Sequence, residues 1–240
     1  MTPIQLFTAI TNQLILQVIP VGILQCNCVL IADKTTRHGC IVDPGGDCGT
    51  IISYVQEYKV IIDSIYITHG HFDHFYSLGE LLNELNKLQP NHTIQSYIHD
   101  DDRVLYHKLQ QQLTYIPDIR LPSILPPSNI NTYKHDDVLM LDGKVIHTPG
   151  HSPGSVSLYW PHYNFLCSGD TLFLGNIGRT DLMGGNNKSI TESILYKLYT
   201  LPESTLVIPG HHSLTTIQYE KYNNMFVQVE DSSTNQYSKL

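Results

Sequence analysis

Apolar positions fall first into three short runs. LILQVIP, NCVLIA and GCIVD read as strands, the last ending at Asp43 in a Pro-Gly-Gly turn. The period then changes, and Ile51, Ile52, Val55 and Tyr58 recur at helical spacing. SIYIT, from Ser64 to Thr68, is again strand-like and runs directly into THGHFDH. Leu78, Leu81, Leu82, Leu85 and Leu88 predict a strongly amphipathic helix that Pro90 ends. The stretch from about Asp100 to Gln112 reads as a helix with one polar side, and the Pro-rich LPSILPPSN (Leu121 to Asn129) as a loop. Two β-like runs around Asp142-Gly143 predict a hairpin. SVSLYW and NFLCSGD are further strands, Ile190, Ile194, Leu195, Leu198 and Leu201 mark another helix, and TLVIPG is a last strand leading into His211. Strands dominate each half with helices interspersed, which suggests two sheets covered by helices. No internal repeat divides the chain, so a single domain is expected over residues 1–226, with a polar tail over 227–240.

Composition narrows the class. The chain has 240 residues and a formal net charge of -8, with no basic run, so nucleic acid is not an expected partner. Its first twenty residues contain no Lys or Arg to open a signal peptide, and no apolar stretch approaches the ~20 residues that span a bilayer. A membrane is therefore not an expected partner either. The five cysteines cannot all pair within one chain, which fits a reducing compartment and a cytoplasmic location. Cys26 and Cys28 alternate along a strand and are expected on one of its faces.

The chemistry concentrates where apolar runs end. THGHFDH offers His69, His71, Asp73 and His74; TPGHSPGS offers His151, SGDTLF offers Asp170 and IPGHH offers His211. A zinc-like ion takes imidazole nitrogen and carboxylate oxygen, usually about four donors. One ion would leave several of these groups unused, whereas two ions sharing one carboxylate would use them all. GHSPG, Gly150 to Gly154, also matches the nucleophile-elbow pattern, but that motif needs a strand–turn–helix context and strand-like SVSLYW follows it. His38, His92, His99, His107, His135, His147 and His162 lack a ligand-like context, with His147 read as a packing or supporting group near His151. Asp43 has two readings, a hydrogen-bond partner of a ligand or a turn residue before Pro44.

The ordered set THGHFDH, TPGHSPGS, SGDTLF, GRTD and PGHHSLTT resembles the metallo-β-lactamase superfamily. Within it the chain is most similar to glyoxalase II-like (hydroxyacylglutathione hydrolase-like) enzymes of the short form. The likeness runs from about Cys26 to Phe226 and includes QCNCVLIAD, IVDPGGD and TTIQYEKYNNMF. The resemblance implies an α/β fold, an αββα four-layer sandwich whose two mixed sheets are covered by helices, with metals at one edge. It assigns His69, His71 and His151 to one ion, Asp73, His74 and His211 to a second, and Asp170 to both. Zinc is the first expectation for these two divalent ions, and iron or manganese suits the same donors. A hydroxide held between them is the implied nucleophile, oriented by Asp73 as the catalytic residue. Arg179 and Asp181 match a pocket-lining loop and are expected to touch substrate, with a structural ion pair as the equal alternative for Arg179.

The implied substrate is a small thioester of the hydroxyacylglutathione type, because a thiolate leaves without prior protonation more readily than an amine. The region after His211 is too short for the helical domain on which fuller glyoxalase II proteins place part of their glutathione site. Alternatives within the superfamily are a persulfide dioxygenase with one iron and a lactonase or other ester hydrolase. The dioxygenases carry a PAHDY-like last segment, where this chain reads PGHHSLTT. A non-catalytic relative would be expected to have lost ligands. Tyr76 and His212 stand where the family has Gly, and are expected to narrow the pocket or reshape its loops.

Overall fold

The computed structural model describes residues 1–114, 121–122 and 124–228. Helix α1 (Pro3–Thr11) opens the chain, capped by the Thr2 side chain and by Gln5 reaching back to the Thr2 backbone. Strands β1 (Leu14–Val21), β2 (Cys26–Asp33) and β3 (His38–Val42) form an antiparallel meander, and helix α2 (Cys48–Tyr58) crosses over to β4 (Ile61–Tyr66). Helix α3 (Leu78–Leu88) leads to β5 (Gln95–His99). The helix expected near residues 100–112 is broken into a 3-10 turn, α4 (Arg103–His107) and α5 (Leu109–Leu113), before β6 (Asn131–Tyr133). This first sheet has the order β1-β2-β3-β4-β5-β6, and β3 to β6 run parallel to one another.

The second sheet is built from β7 (Lys144–His147), β8 (Val156–Trp160), β9 (Phe165–Gly169), β12 (Leu206–Pro209) and β13 (Thr215–Thr216). Their order is β13-β12-β9-β8-β7, antiparallel except for the β9–β12 pair. Between β9 and β12 lie a two-stranded ribbon, β10 (Leu172–Phe173) with β11 (Asn176–Ile177), and helix α6 (Asn187–Ser193), which continues as a π turn over Ile194–Leu198. Helix α7 (Ile217–Asn223) follows β13.

The buried side chains sort into three clusters, one per interlayer space. Cys40 and Val42 of β3 and Val29 and Ile31 of β2 point between the sheets, meeting Leu158, Trp160, Phe165, Cys167, Leu206 and Ile208. Alternate residues of the same strands, Cys26, Cys28, Leu30 and Ile41, face outward onto α2 and α3. On the far side, Leu166 and Val207 pack on Ile190, Ile194 and Leu198. Three interlayer cores require four layers, and the order helix–sheet–sheet–helix is the αββα sandwich. Cys26 and Cys28 share a face as expected, and all five cysteines are free.

The predicted hairpin at Asp142-Gly143 is reduced to a single bridge between Val138 and Lys144. Met140–Asp142 is a 3-10 turn in which Leu141 and Asp142 both have positive φ, so the first β-like run cannot continue as a strand. The Leu121–Asn129 segment contains neither helix nor strand among its described residues, and most of the expected tail, 229–240, lies outside them. No helix among the described residues is long and apolar enough to cross a membrane.

Candidate metal centre

The parallel strands β3 and β4 of the first sheet, and β9 and β12 of the second, all run toward one edge of the sandwich. Ligand-type residues follow each of three strand ends: Thr68 to His74 after β4, Asp170 after β9, and His211 after β12. His151 lies in the turn between β7 and β8, and Val156 N, at the start of β8, bonds the Thr68 carbonyl. Asn27 of β2 holds the His211 loop by donating to the Pro209 and His212 carbonyls at 2.9 and 3.0 Å. The structure thus brings all seven predicted residues together.

Each imidazole is aimed by the nitrogen it turns away from the centre. His74 Nδ1 donates to Asp43 Oδ2 at 2.9 Å. His151 Nδ1 donates to the Arg179 carbonyl at 2.8 Å, and His211 Nδ1 to the Leu24 carbonyl at 3.0 Å. His69 Nδ1 meets the Thr68 hydroxyl at 3.1 Å, which itself donates to Asp43 at 2.7 Å. Carbonyl and carboxylate oxygens only accept, so these rings carry a proton on Nδ1 and present Nε2 inward. His71 is the exception and turns Nδ1 inward, 2.8 Å from His151 Nε2. Of the two readings of Asp43, the hydrogen-bond partner is the one observed. It also takes the Thr68 amide at 2.7 Å, while its own backbone sits at φ 51°.

Several overlapping donor sets emerge. His69, His71 and His151 form one; Asp73, His74 and His211 a second; His69, His74 and Asp170 overlap both. Asp170 stands between them, with Oδ2 3.5 Å from His151 Nε2 and Oδ1 3.5 Å from His74 Nε2. His69 Nε2, His74 Nε2 and Asp170 Oδ1 are buried with no hydrogen-bond partner. Buried polar atoms are ordinarily satisfied, so three orphaned donor atoms at one point fit a bound cation. Close packing is enforced around them. A Cβ on Gly210 would collide with Asp170 Oδ1 and crowd His74, and one on Gly45 would collide with the Asp73 carbonyl.

Electrostatics separates the two sets. Burial, reinforced by the neighbouring His74, His151 and His71, keeps His69 neutral far below its ordinary range. Burial with the adjacent His151 brings His71 down to about 3. Burial also opposes charge on His74, but the Asp170, Asp43 and Asp73 carboxylates outweigh it and hold this ring well above its usual value. His211 is likewise raised against its burial, by the Asp73 hydrogen bond and by Asp170. Asp73 stays ionised because His74 and His211 overcome its desolvation. Cys26 Sγ lies 3.4 Å from His74 Nδ1, and burial raises that thiol to about 12, so it is a neutral neighbour.

Two clamps escape the sequence reading. Asp102 is fully buried and accepts from Gly70 N at 2.7 Å, Ser152 Oγ at 2.6 Å and Gly154 N at 2.6 Å. It bolts the THGHFDH loop to the His151 loop. Gln112 accepts from Phe72 N and donates to the Gly70 and Leu105 carbonyls. Ser152, the would-be nucleophile of GHSPG, is buried on Asp102, and no helix follows it. His147 stacks on His99 at 4.1 Å and bonds the Pro153 carbonyl, the supporting role expected of it.

The centre opens onto a cavity of about 440 Å³ walled by Leu24, Phe72, Leu105, Leu182 and Met183. Arg179 and Asp181 line it, but their side chains hold each other through two 2.7 Å bonds. Lys108 lines it too, with Met183 Sδ at 3.7 Å. Neither Tyr76 nor His212 lines this cavity, contrary to the expected narrowing. Tyr76 turns away to donate to the Pro122 carbonyl, and His212 sits at φ 65° beside Phe173, where a glycine is the least strained residue.

This fold and donor set define a metallo-hydrolase. The chain matches the family model of the metallo-β-lactamase superfamily over residues 21–211 and belongs to that superfamily. It is 35% identical over 221 residues to the probable metallo-hydrolase YqgX of Bacillus subtilis, covering 87% of this chain and 95% of that protein. It is 32% identical over 216 residues to the hydroxyacylglutathione hydrolase GloC of Haemophilus influenzae, covering 88% and 97%. Among solved structures, TTHA1623 in a di-iron-bound form superposes with a TM-score of 0.78 at 32% identity, covering 88% of this chain and 100% of that one.

The Asp102 clamp has a measurable consequence. Asp102→Ala strands the Gly70 and Gly154 backbone amides in a dry site, so it should cost on the order of 3 kcal/mol or more. It should also weaken metal retention by displacing His71 and His151. Chemical denaturation and metal analysis test this, with the exposed Asp101→Ala as control; equal stability of the two variants would refute the clamp.

Proposed function

We propose that this chain is a dinuclear metal-dependent hydrolase of small thioesters of the hydroxyacylglutathione type. The observation that carries the reading is the position of Asp170, whose two oxygens face two separate donor sets beneath an apolar-walled cavity. His69, His71 and His151 would hold one ion, Asp73, His74 and His211 the other, and Asp170 both. When bound, such ions supply Lewis acidity and an ionised water at neutral pH. Asp73 is ionised and lines the cavity, so it orients an entering water toward the substrate carbonyl. The apolar walls seat the acyl group and exclude bulk water.

Leaving-group chemistry favours a thioester. The imidazoles at the cavity floor are committed as metal donors, and the Asp181 carboxylate holds the Arg179 guanidinium's proton still more tightly. An amine must be protonated to leave, whereas a thiol, with a pKa of about 8.5, leaves as the anion. The similarity to a hydroxyacylglutathione hydrolase points the same way. A persulfide dioxygenase needs one iron, and the complete second set of Asp73, His74 and His211 favours the hydrolase.

Metal binding should reveal the asymmetry of the sets. His74 and His211 hold their protons more tightly than a free imidazole and so give them up less readily to ligate, while burial favours the neutral form of His69 and His71. Zinc affinity at the Asp73–His74–His211 position should therefore fall more steeply from about pH 8 to about pH 6 than at the other position. Calorimetry in buffers of different ionisation enthalpy measures the protons released. Asp170→Ala should lose about two ions per chain; retention of both, or equal pH dependence, would contradict the scheme.

The reaction itself is tested on one preparation with a thiol reagent and an oxygen electrode. An acyl-glutathione should release free thiol with no oxygen consumed. Oxygen uptake with glutathione persulfide, dependent on ferrous iron and without thioester cleavage, would replace the hydrolase by the dioxygenase.

Substrate anchoring separates two cations. Arg179 is already engaged by Asp181, so Lys108 is the better partner for a substrate carboxylate. Lys108→Ala should raise KM roughly tenfold with kcat little changed, and Arg179→Ala should raise it less. The reverse order would assign the anchor to Arg179.

A further inference from the structure

At the opposite end of the first sheet from this centre, His38, Asp63 and His92 come together. His38 opens β3, Asp63 lies near the start of β4, and His92 lies between α3 and β5. Counting along β4 at ~3.3 Å per residue puts Asp63 roughly 20 Å from His69. We propose that these three side chains form a separate divalent-metal site of the two-imidazole, one-carboxylate type, additional to the hydrolytic centre.

The backbone is shaped to produce this cluster. Gly39 pairs with Ile62 and Cys40 with Ser64, so Asp63 is the extra residue of a bulge in the β3–β4 ladder. A bulge re-aims the side chain it leaves unpaired. Both Asp63 oxygens lie near His38 Nδ1, at 3.0 and 2.9 Å, and Oδ1 lies 2.8 Å from His92 Nε2. The stretch bearing His92 is tied to β4 by Gln89, whose side chain accepts from Ile62 N at 3.1 Å and donates to Ile62 O at 2.7 Å. His92 N in turn bonds the Gln89 carbonyl at 3.0 Å. The two rings stand 5.9 Å apart at 62°, edge-on rather than stacked. One donor atom from each residue lies within 4.8 Å of the others.

The decisive observation is His92 Nε2. It is shielded from solvent and lies 2.8 Å from Asp63 Oδ1, yet it makes no hydrogen bond. Among the described residues the other side-chain atoms left in this state are His69 Nε2, His74 Nε2 and Asp170 Oδ1, all in the hydrolytic centre. The two places therefore share one signature, a buried imidazole nitrogen left unsatisfied beside further donor atoms. His38 Nδ1 is hydrogen-bonded to the Asp63 carboxylate, and an ion pair of that kind leaves His92 Nε2 without a partner. A cation shared by the three residues would satisfy it.

Imidazole and carboxylate suit zinc and, as a two-His, one-carboxylate set, ferrous iron. With three protein donors and side chains about a quarter to a half exposed (45%, 24% and 30%), water completes the coordination. The site should bind more weakly and exchange faster than the buried centre. It would clip the α3–β5 connection to the edge of β3 and β4.

The test counts zinc on the full chain after equilibrium dialysis at fixed free zinc, by mass spectrometry. His92→Gln and Asp63→Asn should each bind about one ion fewer than the parent, with thioester turnover unchanged. Saturating zinc should raise the Tm of the parent above that of either variant. Comparing Asp170→Ala with Asp170→Ala/His92→Gln isolates the outer site, and the difference should again be one ion whatever the hydrolytic centre holds. Equal ion counts in every pair would overturn the proposal, as would loss of turnover in both single variants, which would place the lost ion in the hydrolytic centre.

Discussion

Crowding imidazoles and carboxylates into one desolvated cluster is unfavourable unless every outward-facing nitrogen finds an acceptor. Here the acceptors are Asp43 for His74, the Arg179 carbonyl for His151, the Leu24 carbonyl for His211, and Thr68, itself held by Asp43, for His69. Asp43 is the pivot. It fixes one ring directly and another through a hydroxyl, and it receives the Thr68 amide that starts the ligand loop. With these outer nitrogens committed, the inner ones have fixed tautomers, and those of His69 and His74 are left without partners, as a cation site requires.

The sandwich exists at this edge because strands of both sheets end there and their loops can interlock. Asn27 carries the first sheet to the His211 loop, Val156 N to the Thr68 carbonyl carries it to the second, and Asp102 joins the loops on either side of His71 and His151. The glycines serve the same purpose by absence. At Gly45 and Gly210 any side chain would occupy space taken by Asp73 or Asp170, so loop and ligand approach more closely than a Cβ permits.

Much of this was legible locally. Strand runs and the α3 heptad-like stripe encode their own burial, and the ligand motifs sit in short contiguous segments after them. What sequence missed depends on distance or on competing terms. Helix α1 went unrecognised although Thr2, Pro3 and Gln5 spell a capped start, because its apolar stripe is diluted by polar residues. Asp102 lies in an acidic run that reads as a solvated helix face, yet its partners are 32 and about 50 positions away. Nothing local distinguishes it from Asp100 or Asp101. The first half of the Asp142 hairpin failed because two consecutive residues adopt positive φ, which the β-like pattern cannot signal. His38 and His92 were set aside for want of context, and their context is a bulge visible only in three dimensions.

The two departures from the family pattern show how a loop can change without changing the chemistry. A side chain at 76 could have filled the cavity, but the ring packs against the outer core and its hydroxyl bonds Pro122 O, across the helix-facing side of the first sheet. His212 adopts the left-handed conformation its glycine counterpart would take freely, at a cost of about 1–2 kcal/mol for an L residue. Its carbonyl accepts from Asn27, so the strained conformation is held by the same contact that positions His211. The strain is therefore met by the inter-sheet bond, and His211 before it keeps its place. The backbone of residue 212 fixes this loop, while its imidazole lies outside, against Phe173.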